Sequence, residues 1–335
     1  MKIVIFLLMF AVLIMGDTTL KIATYNVENL FDLGNDTSRY PEYIPNGPSE
    51  WNDKNYKIKL KNISQVIKDM DADIIGLQEI GSLEALKDLR FALKQRGLYY
   101  QYYKIADSKN SSVKVAILSK IPFLYSKEIS VTSSNDHRNI LETKFKIGQK
   151  ELYIYVNHWK SKSGPESMRI IYAKTLMERI KQIGYDKNII VLGDFNSDYE
   201  EYIKFVRKRE LNDTDGITGI NHILGTIKQT KRAAETTYEE GSFYNLWYDT
   251  DDESRYSYLF KGKRETPDNI LVSQSLLKKK DIYYKNDTIT NFYRDYLFKK
   301  KVVQRWEISR GKVKKHRGIG YSDHLAVTAD FVVKN

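Results

Sequence analysis

Two short apolar segments of this sequence each follow an amphipathic helix and end in a carboxylate. The first, 73–79, has the sequence DIIGLQE, and the second, 188–194, has the sequence NIIVLGD. Apolar runs of this length are typical of strands covered on both faces. Ligands collect at the carboxyl ends of strands in open α/β sheets, so Glu79 and Asp194 are expected to converge on one site. The alternative is that each acid only caps the loop or helix that follows it.

The hydrophobic pattern predicts further helices and strands around these segments. Ile63, Val66, Ile67 and Met70 share one helical face, a second helix covers 83–95 before Gly97, and a third follows Gly164-Pro165. No linker-like change of composition interrupts the chain, so residues 17–335 are expected to form one α/β domain of two similar halves, with an irregular excursion at about 212–256. The predicted strands are 20–25, 113–118, 140–147 and 151–156 (the last two as a hairpin), and 325–333.

The N-terminus has the pattern of a secretory signal peptide. Lys2 precedes an apolar run of thirteen residues, 3–15, and polar sequence follows Gly16. A membrane-spanning helix needs about 20 apolar residues, so this run is short for one. We therefore expect residues 1–16 to be a cleaved signal peptide, and the mature protein to be secreted or periplasmic without stable membrane insertion. Retention as an uncleaved anchor is the alternative.

Composition excludes sulfur chemistry and points to an anionic partner. The chain has no cysteine, which rules out disulfides, thiolate metal sites and a cysteine nucleophile. Lys and Arg number 54 against 43 Asp and Glu, a net charge of +11. Nine of these cations and a single acid, Glu307, fall between Lys299 and Arg317. Nucleic acid, anionic lipid or a phosphorylated substrate is the expected partner.

Side chains at the predicted strand ends suit a hard cation. None of the five histidines has the HExxH spacing of a zinc site, and His137, His222 and His316 are expected to be structural or surface residues. Mg²⁺ prefers oxygen ligands and is often bound by one or two carboxylates plus substrate phosphate. The acids and amides that follow strands, or precede the last one, are Asn26, Glu28, Glu79, Asp194, Asn196 and Asp323.

Five motifs in order resemble those of the endonuclease/exonuclease/phosphatase superfamily, to which deoxyribonuclease I belongs. They are TYNVENL at 24–30, LQE at 77–79, NH at 157–158, GDFN at 193–196 and SDH at 322–324. Each motif alone is weak, but the ordered set spans nearly the whole mature chain. Further similarities are VAILS at 115–119, Arg138, PDNILVS at 267–273 and, with secreted bacterial nucleases, YNLW at 244–247. The resemblance implies an α/β fold with a two-layered β-sandwich flanked by helices, in four layers α/β/β/α.

The resemblance also implies a metal site. Glu79 would be the principal ligand, supported by Asn26 and Asp323, and the metal would be Mg²⁺, with Ca²⁺ or Mn²⁺ as alternatives. Glu28 stands where family members carry Asp, so no ligand role is carried over to it.

The catalytic roles carried over from the family fall on six residues. His324 would act as general base or contact the transition state, and Asp268 would hold its imidazole in the needed tautomer. Asp194 would orient or deprotonate the attacking water. The other three are Asn196 as a hydrogen-bond donor to the phosphate, His158 at the phosphate or leaving oxygen, and Arg138.

Charge favours nucleic acid among the substrates of this superfamily. The basic segment lies just before the SDH motif, and Lys312, Lys314, Lys315 and Arg317 are expected to hold phosphates of a polynucleotide. A solvated basic loop is the alternative. We therefore expect a monomeric, metal-dependent nuclease that acts on DNA with little sequence preference. The alternative functions are a phosphodiesterase of lipid head groups, similar to sphingomyelinases, and a non-catalytic binding protein.

Overall fold

The computed structural model describes residues 16–34, 39–205, 210–227, 232–233, 240–251 and 253–334. The predicted signal peptide lies outside the described residues except for Gly16, as do parts of the 212–256 excursion. Among the helices that are described, none combines the length and the apolar character needed to cross a membrane.

A seven-stranded sheet forms the first half of the fold. Its strands lie in the order β13 (Ile282–Tyr284), β17 (Val327–Val333), β1 (Thr18–Leu30), β2 (Ile74–Ile80), β4 (Lys114–Ser119) and β3 (Tyr102–Ile105), and β14 (Thr290–Asn291) also pairs with β17. β1 is parallel to β2 and antiparallel to β17. We call this the first sheet.

The second sheet has six strands. Their order is β5 (Phe123–Ile129), β6 (Ile140–Ile147), β7 (Lys150–His158), β8 (Asn188–Asp194), β12 (Asp268–Ser273) and β9 (Phe243–Asn245). β7 is parallel to β8, and β8 is antiparallel to β12. Two small hairpins stand apart from both sheets: β10 (Tyr258–Phe260) with β11 (Lys263–Glu265), and β15 (Phe298–Lys299) with β16 (Val302–Val303).

Helices cover the outer face of each sheet. α1 (Asp53–Met70) and α2 (Leu83–Gln95) pack on the first sheet, α3 (Ser167–Ile183) packs on the second, and a short α4 (Glu201–Lys204) follows β8. Side-chain caps fix where α1 and α2 begin, because Asn52 and Ser82 accept hydrogen bonds from backbone N–H groups of the first turns. α2 has the bounds predicted from the sequence.

Alternation along the buried strands produces three apolar layers. In β2, Ile74 contributes to the core between the sheets, whereas Ile75 and Leu77 contribute to the core under α1 and α2. In β8, Ile190 and Leu192 belong to the core between the sheets, while Ile189 and Val191 face the α3 side. Both strands are therefore covered on both faces, as predicted. The predicted four-layer α/β/β/α architecture is confirmed.

The two similar segments lie in different sheets. β2 belongs to the first sheet and β8 to the second, so their terminal acids approach across the sandwich rather than side by side in one sheet. The first predicted strand was too short: β1 continues to Leu30 through an irregularity of its pairing with β2 between Asn26 and Leu30. Polar residues there look like a turn in the sequence, but they are buried at the end of a strand.

At Gly76 the second sheet lies close against β2. A Cβ atom at this position would stand 2.3 Å from Leu192 Cδ1 and 3.0 Å from Val156 Cγ1, both in the second sheet. Its backbone φ is not positive, so the requirement is for space and not for conformation. A side chain at residue 76 would therefore separate the sheets or displace Leu192.

We expect Gly76→Val to lower the free energy of unfolding by about 1–3 kcal/mol through overpacking. Leu192→Ala alone should cost about 2–5 kcal/mol because it leaves a cavity. In the double variant the new valine methyl groups fill part of that cavity. Its loss of unfolding free energy should therefore be smaller than the sum of the two single losses by about 0.5–3 kcal/mol. Urea denaturation of the four proteins measures this coupling, and strict additivity would contradict the contact.

Candidate active site

The polar side chains predicted to act together lie at one edge of the sandwich. β1 and β2 are parallel, as are β7 and β8, so their carboxyl ends bring Asn26, Glu79, His158 and Asp194 to the same edge. β12 runs the other way and begins with Asp268, which pairs directly with Asp194. The loop before β17 adds Ser322, Asp323 and His324, and the Ser322 hydroxyl donates to the Asn26 carbonyl at 2.7 Å.

Asn26 joins the two sheets at this edge. Its buried amide nitrogen Nδ2 donates to Glu79 Oε1 at 3.2 Å and to Asp194 Oδ2 at 3.0 Å. Its Oδ1 accepts from the Glu28 N–H at 3.0 Å. One side chain thus sets the separation of two carboxylates that belong to different sheets.

Four non-glycine residues of the site have left-handed backbone conformations. The φ values are +52° at Glu28, +58° at Asn29, +64° at Glu79 and +48° at Asn196. Such conformations cost on the order of 1 kcal/mol or more each and persist where the surroundings hold them. Here local hydrogen bonds do so: Asn29 N–H donates to Glu79 Oε2 at 2.9 Å, and Asn196 N–H donates to Asp194 Oδ1 at 2.8 Å.

His324 and Asp268 form a close pair. His324 Nδ1 lies 2.6 Å from Asp268 Oδ2, which also accepts from the Ser257 hydroxyl at 2.7 Å. Burial lowers the pKa of His324, but the carboxylates of Asp268 and Asp194 outweigh burial and raise it well above the ordinary value. Its Nε2 faces Asp194, with 4.0 Å between Nε2 and Oδ2. The carboxylate therefore orients the ring, as the resemblance implies, and favours the imidazolium.

Burial raises the pKa of the Asp194 carboxyl group. Its pKa is raised to about 7, because desolvation and the neighbouring Asp268 outweigh the His324 charge and the hydrogen bonds from Asn196 and Asn26. A carboxylate with a pKa near neutrality is well suited to accept a proton from water.

His158 lies between the two acids. Its Nε2 is 3.7 Å from Asp194 Oδ2 and 3.8 Å from Glu79 Oε1, and its buried Nδ1 has no hydrogen-bond partner among the described residues. Burial, Arg138 and His324 hold the pKa of His158 well below its ordinary value, which keeps the ring neutral. Arg138 Nη1 and Asn196 Nδ2 both donate to the Trp159 carbonyl, at 3.3 and 3.1 Å.

Sequence reasoning missed Arg305, which reaches this edge from the basic segment. Its Nε donates to Glu28 Oε1 at 2.9 Å, Nη2 also bonds Glu28, and Nη2 lies 3.2 Å from Asp323 Oδ2. The Trp306 N–H donates to the other Glu28 oxygen at 3.0 Å. Glu28 is thus occupied by protein groups. Only the general basic character of the segment hinted at Arg305, because its partner Glu28 is 277 residues away.

The donor set at Glu79 fits a hard cation. Each Glu79 oxygen accepts one N–H, which leaves lone pairs free, and the Glu79 and Asp323 side chains are 21% and 20% exposed at the site's opening. Both carboxylates offer oxygen donors, which Mg²⁺ prefers, whereas Asn26 turns its Nδ2 toward Glu79 and its Oδ1 toward the Glu28 N–H. The atoms of Asp194, Asp268 and His324 also cluster within 4.8 Å, but a metal there would displace the bond between His324 and Asp268. Glu79 is therefore the better candidate for the principal metal ligand.

The four predicted substrate-binding residues do not form one group. Lys314 and Arg317 line a cleft beside Arg305, whereas Lys312 is exposed outside that lining and Lys315 pairs with Glu50. His316, in the same segment, is buried and hydrogen-bonded to Trp306, in agreement with a structural role. A second cavity of about 380 Å³ borders His324 and Asn196, with Leu211, Tyr258 and Pro267 as its apolar wall.

Comparisons with known proteins identify the fold and the family. The model of the Endonuclease/Exonuclease/phosphatase family matches residues 21–204. TDP2 of D. rerio complexed with single strand DNA product has 15% sequence identity, covers 94% of this chain and 99% of its own, and has a TM-score of 0.59. A mannosyl-6-phosphatase of Bacteroides thetaiotaomicron has 16% identity, coverage of 93% and 99%, and a TM-score of 0.54.

An endonuclease/exonuclease/phosphatase family protein of Bacteroides thetaiotaomicron has 17% identity, coverage of 95% and 99%, and a TM-score of 0.54. No curated protein matches the chain significantly. The structural likenesses extend over almost the whole chain, and at these identities they establish its fold.

We expect His324 of the metal-free protein to remain protonated at pH 7.5, because Asp268 and Asp194 raise its pKa above the ordinary value of about 6.5. In Asp268→Asn the largest raising charge and its hydrogen bond are lost, while burial, which lowers the pKa, remains and only Asp194 and Asp323 still oppose it, so the pKa of His324 should fall. Nitrogen-15 NMR of the imidazole rings measures both states. A wild-type His324 that titrates below pH 6.5 would contradict the pairing, and neutral His158 provides an internal reference.

Proposed function

The chain belongs to the endonuclease/exonuclease/phosphatase family, and from that premise we propose that it is a metal-dependent phosphodiesterase acting on nucleic acid. Membership makes it a hydrolase of this superfamily. What we propose beyond membership is the substrate: nucleic acid, and DNA in particular.

One observation carries the catalytic part of the proposal. Asp194, with a pKa raised to about 7, lies within 4.0 Å of His324 Nε2 and accepts a hydrogen bond from Asn26, which also holds Glu79. A proton acceptor, an imidazolium and a carboxylate suited to a cation therefore surround one small space. Hydrolysis of a phosphodiester needs these functions together.

We assign the movement of the proton to Asp194. Water attacks phosphorus, its proton passes to the Asp194 carboxylate, and the bond from phosphorus to the leaving oxygen breaks, so that this oxygen departs as an alkoxide that takes a proton from solvent. The hydrogen bonds from Asn26 and from the Asn196 backbone fix the acceptor oxygens of Asp194 during this step.

The phosphate would be held by donors on the other residues of the site. His324, as an imidazolium oriented by Asp268, donates from Nε2, and Asn196 has one amide hydrogen beyond the bond that it gives to Trp159. His158 is kept neutral by burial, so its role is a hydrogen bond to phosphate and not proton donation to the leaving oxygen. Arg138 lowers the pKa of His158 and supports this state.

Glu79 and Asp323 would hold the divalent cation, for which Mg²⁺ is the expected metal, and Asn26 would support the site by orienting Glu79 through its Nδ2. When bound, the cation supplies Lewis-acid neutralisation of the phosphate charge. Glu28 is excluded from this set by its bonds to Arg305 and Trp306.

Several features favour nucleic acid as the substrate. The net charge of +11 favours a polyanion, and Lys314 and Arg317 line a cleft close to the site. A structurally similar protein, TDP2, is described with single strand DNA product. The similar mannosyl-6-phosphatase makes a sugar phosphate the second candidate, and a lipid head group is the third. Export through the N-terminal segment and a monomeric state are further proposals, which rest on the sequence alone.

We expect purified mature protein to cut plasmid DNA with Mg²⁺ and to stop when EDTA removes the metal. The rate of Glu79→Ala should be lower by about 100-fold or more because the principal cation ligand is gone. The rate of His324→Ala should fall by a similar factor because a charged hydrogen-bond donor to the phosphate is gone. Rates on DNA, RNA, sphingomyelin and mannose 6-phosphate, measured side by side, identify the substrate class.

Glu178→Ala, on the exposed face of α3, is the matched control and should retain wild-type activity. DNA that survives the wild-type enzyme with Mg²⁺ and Ca²⁺ present would reject the nuclease proposal. Equal cutting by the wild type, Glu79→Ala and His324→Ala would instead reject the assigned site.

A further inference from the structure

A cleft of about 790 Å³ lies beside the proposed active site. Cavities of about 300–1,000 Å³ hold drug-sized ligands, so this cleft has room for more than one phosphate group. Two acids also contribute to it, Glu42 and Glu307. Its cationic lining residues are Arg305, Arg310, Lys314 and Arg317.

Most of these cations have no protein counter-charge. The side chains of Arg310, Lys314 and Arg317 form neither hydrogen bonds nor ion pairs within the described part of the chain, and all three are exposed. Glu307 is the nearest acid in sequence, but it pairs with Lys299 at 3.4 Å. Like charges that share a cleft repel one another, and an anion bound between them would relieve that repulsion.

Arg305 is held in a fixed orientation at the side of the cleft nearest the active site. Its Nε and Nη2 are engaged by Glu28, and Nη2 also lies 3.2 Å from Asp323. Its Nη1 makes no hydrogen bond to a described residue, and the side chain is 58% exposed. A guanidinium held on one side in this way presents its remaining N–H groups to a phosphate oxygen without further ordering.

Hydrogen bonds fix Trp306 and His316 at the wall of the cleft. Trp306 is buried and its Nε1 donates to His316 Nδ1 at 2.7 Å. His316 Nε2 in turn bonds the Glu42 carbonyl at 2.7 Å, and the His316 N–H donates to the Ser49 carbonyl at 3.0 Å. Arg305 and Arg317, the chain neighbours of Trp306 and His316, therefore extend from backbone that these bonds hold in place, which lowers the entropy cost of ordering them on binding.

Asp323 connects this cleft to the catalytic imidazole. Its Oδ2 lies 3.2 Å from Arg305 Nη2, and its Oδ1 lies 3.9 Å from His324 Nε2. Only one carboxylate thus separates Arg305 from His324. Phosphates of one nucleic-acid strand follow each other at about 3.4 Å along a helix axis, so a strand with one phosphate at His324 has others close enough to reach the cleft.

We propose that the cleft lined by Arg305, Arg310, Lys314 and Arg317 is a second phosphate subsite that binds a phosphate neighbouring the cleaved one in a polynucleotide. This inference rests on the proposed function and sharpens it. A substrate with a single phosphate, such as a sugar phosphate or sphingomyelin, would leave the subsite empty. The subsite therefore selects a phosphodiester that is part of a chain.

Binding without catalysis tests the subsite directly. Fluorescein-labelled dT8 is titrated in EDTA with the wild type and with the double variant Arg310→Gln/Lys314→Gln, whose replaced side chains have no protein partner that folding would lose. We expect the affinity for dT8 to fall at least tenfold. The negative slope of log K, the logarithm of the binding constant, against log salt concentration should become shallower by about 1.4, which is about 0.7 for each lost phosphate contact. The matched control Lys174→Gln/Lys181→Gln, on exposed positions of α3, removes the same charge and should stay within twofold.

Kinetics with Mg²⁺ separate the subsite from the catalytic centre. For the cleft variant, kcat/KM should fall at least tenfold on dT8 and less than twofold on bis(p-nitrophenyl) phosphate, which has one phosphate. Unchanged dT8 affinity in this variant, no dT8 binding by the wild type, or equal kinetic losses on both substrates would each overturn the subsite, even if DNA is cut. Selective dT8 binding through the cleft in a wild type that cuts no phosphodiester would support the subsite and reject the proposed function.

Discussion

The edge of the sandwich that carries the candidate active site depends on the close approach of the two sheets at Gly76. The space that a side chain would need there is filled by Leu192 and Val156 of the other sheet. Gly76 and Leu192 are three and two residues before Glu79 and Asp194, so the packing distance between the sheets also sets the distance between the two acids. Apolar packing is less sensitive to pH and to the screening of charges than an ion pair is, so the position of the two carboxylates does not depend on an ion pair between the sheets.

Asn26 adds hydrogen bonds between the two sheets at this edge. A single amide donates to one carboxylate from each sheet, and the Ser322 hydroxyl fixes the Asn26 carbonyl to the loop that carries His324. An amide is suited to this position because it donates two hydrogen bonds without adding a charge that would neutralise the acids. The backbone turns at the ends of β1 and β2 through positive φ values at Glu28, Asn29 and Glu79, and the Asn29 N–H donates to Glu79 there.

Much of this architecture is readable from the sequence, and the reason is that it is local. The continuous apolar runs of β2 and β8 and the amphipathic face of α1 depend on residues within one element. Asp268 and His324 were assignable only through the family resemblance, since nothing in their spacing predicts a 2.6 Å contact. The partition of β2 and β8 between two sheets was not readable, because buried strands of either sheet have the same apolar pattern.

The electrostatic balance of the site was least predictable, because its counter-charges come from distant segments. Glu28, buried, has a pKa raised to about 7 by desolvation and by Asp323, against the lowering effects of Lys59 and Arg305. Burial lowers the pKa of Lys59 to about 8, although Glu28, Asp323 and Glu79 oppose that shift. Both oxygens of Glu28 are engaged, one by Arg305 and the other by the Trp306 N–H. Glu28 therefore ties the basic segment to the end of β1, so that Arg305 of the cleft lies next to Asp323 of the catalytic site.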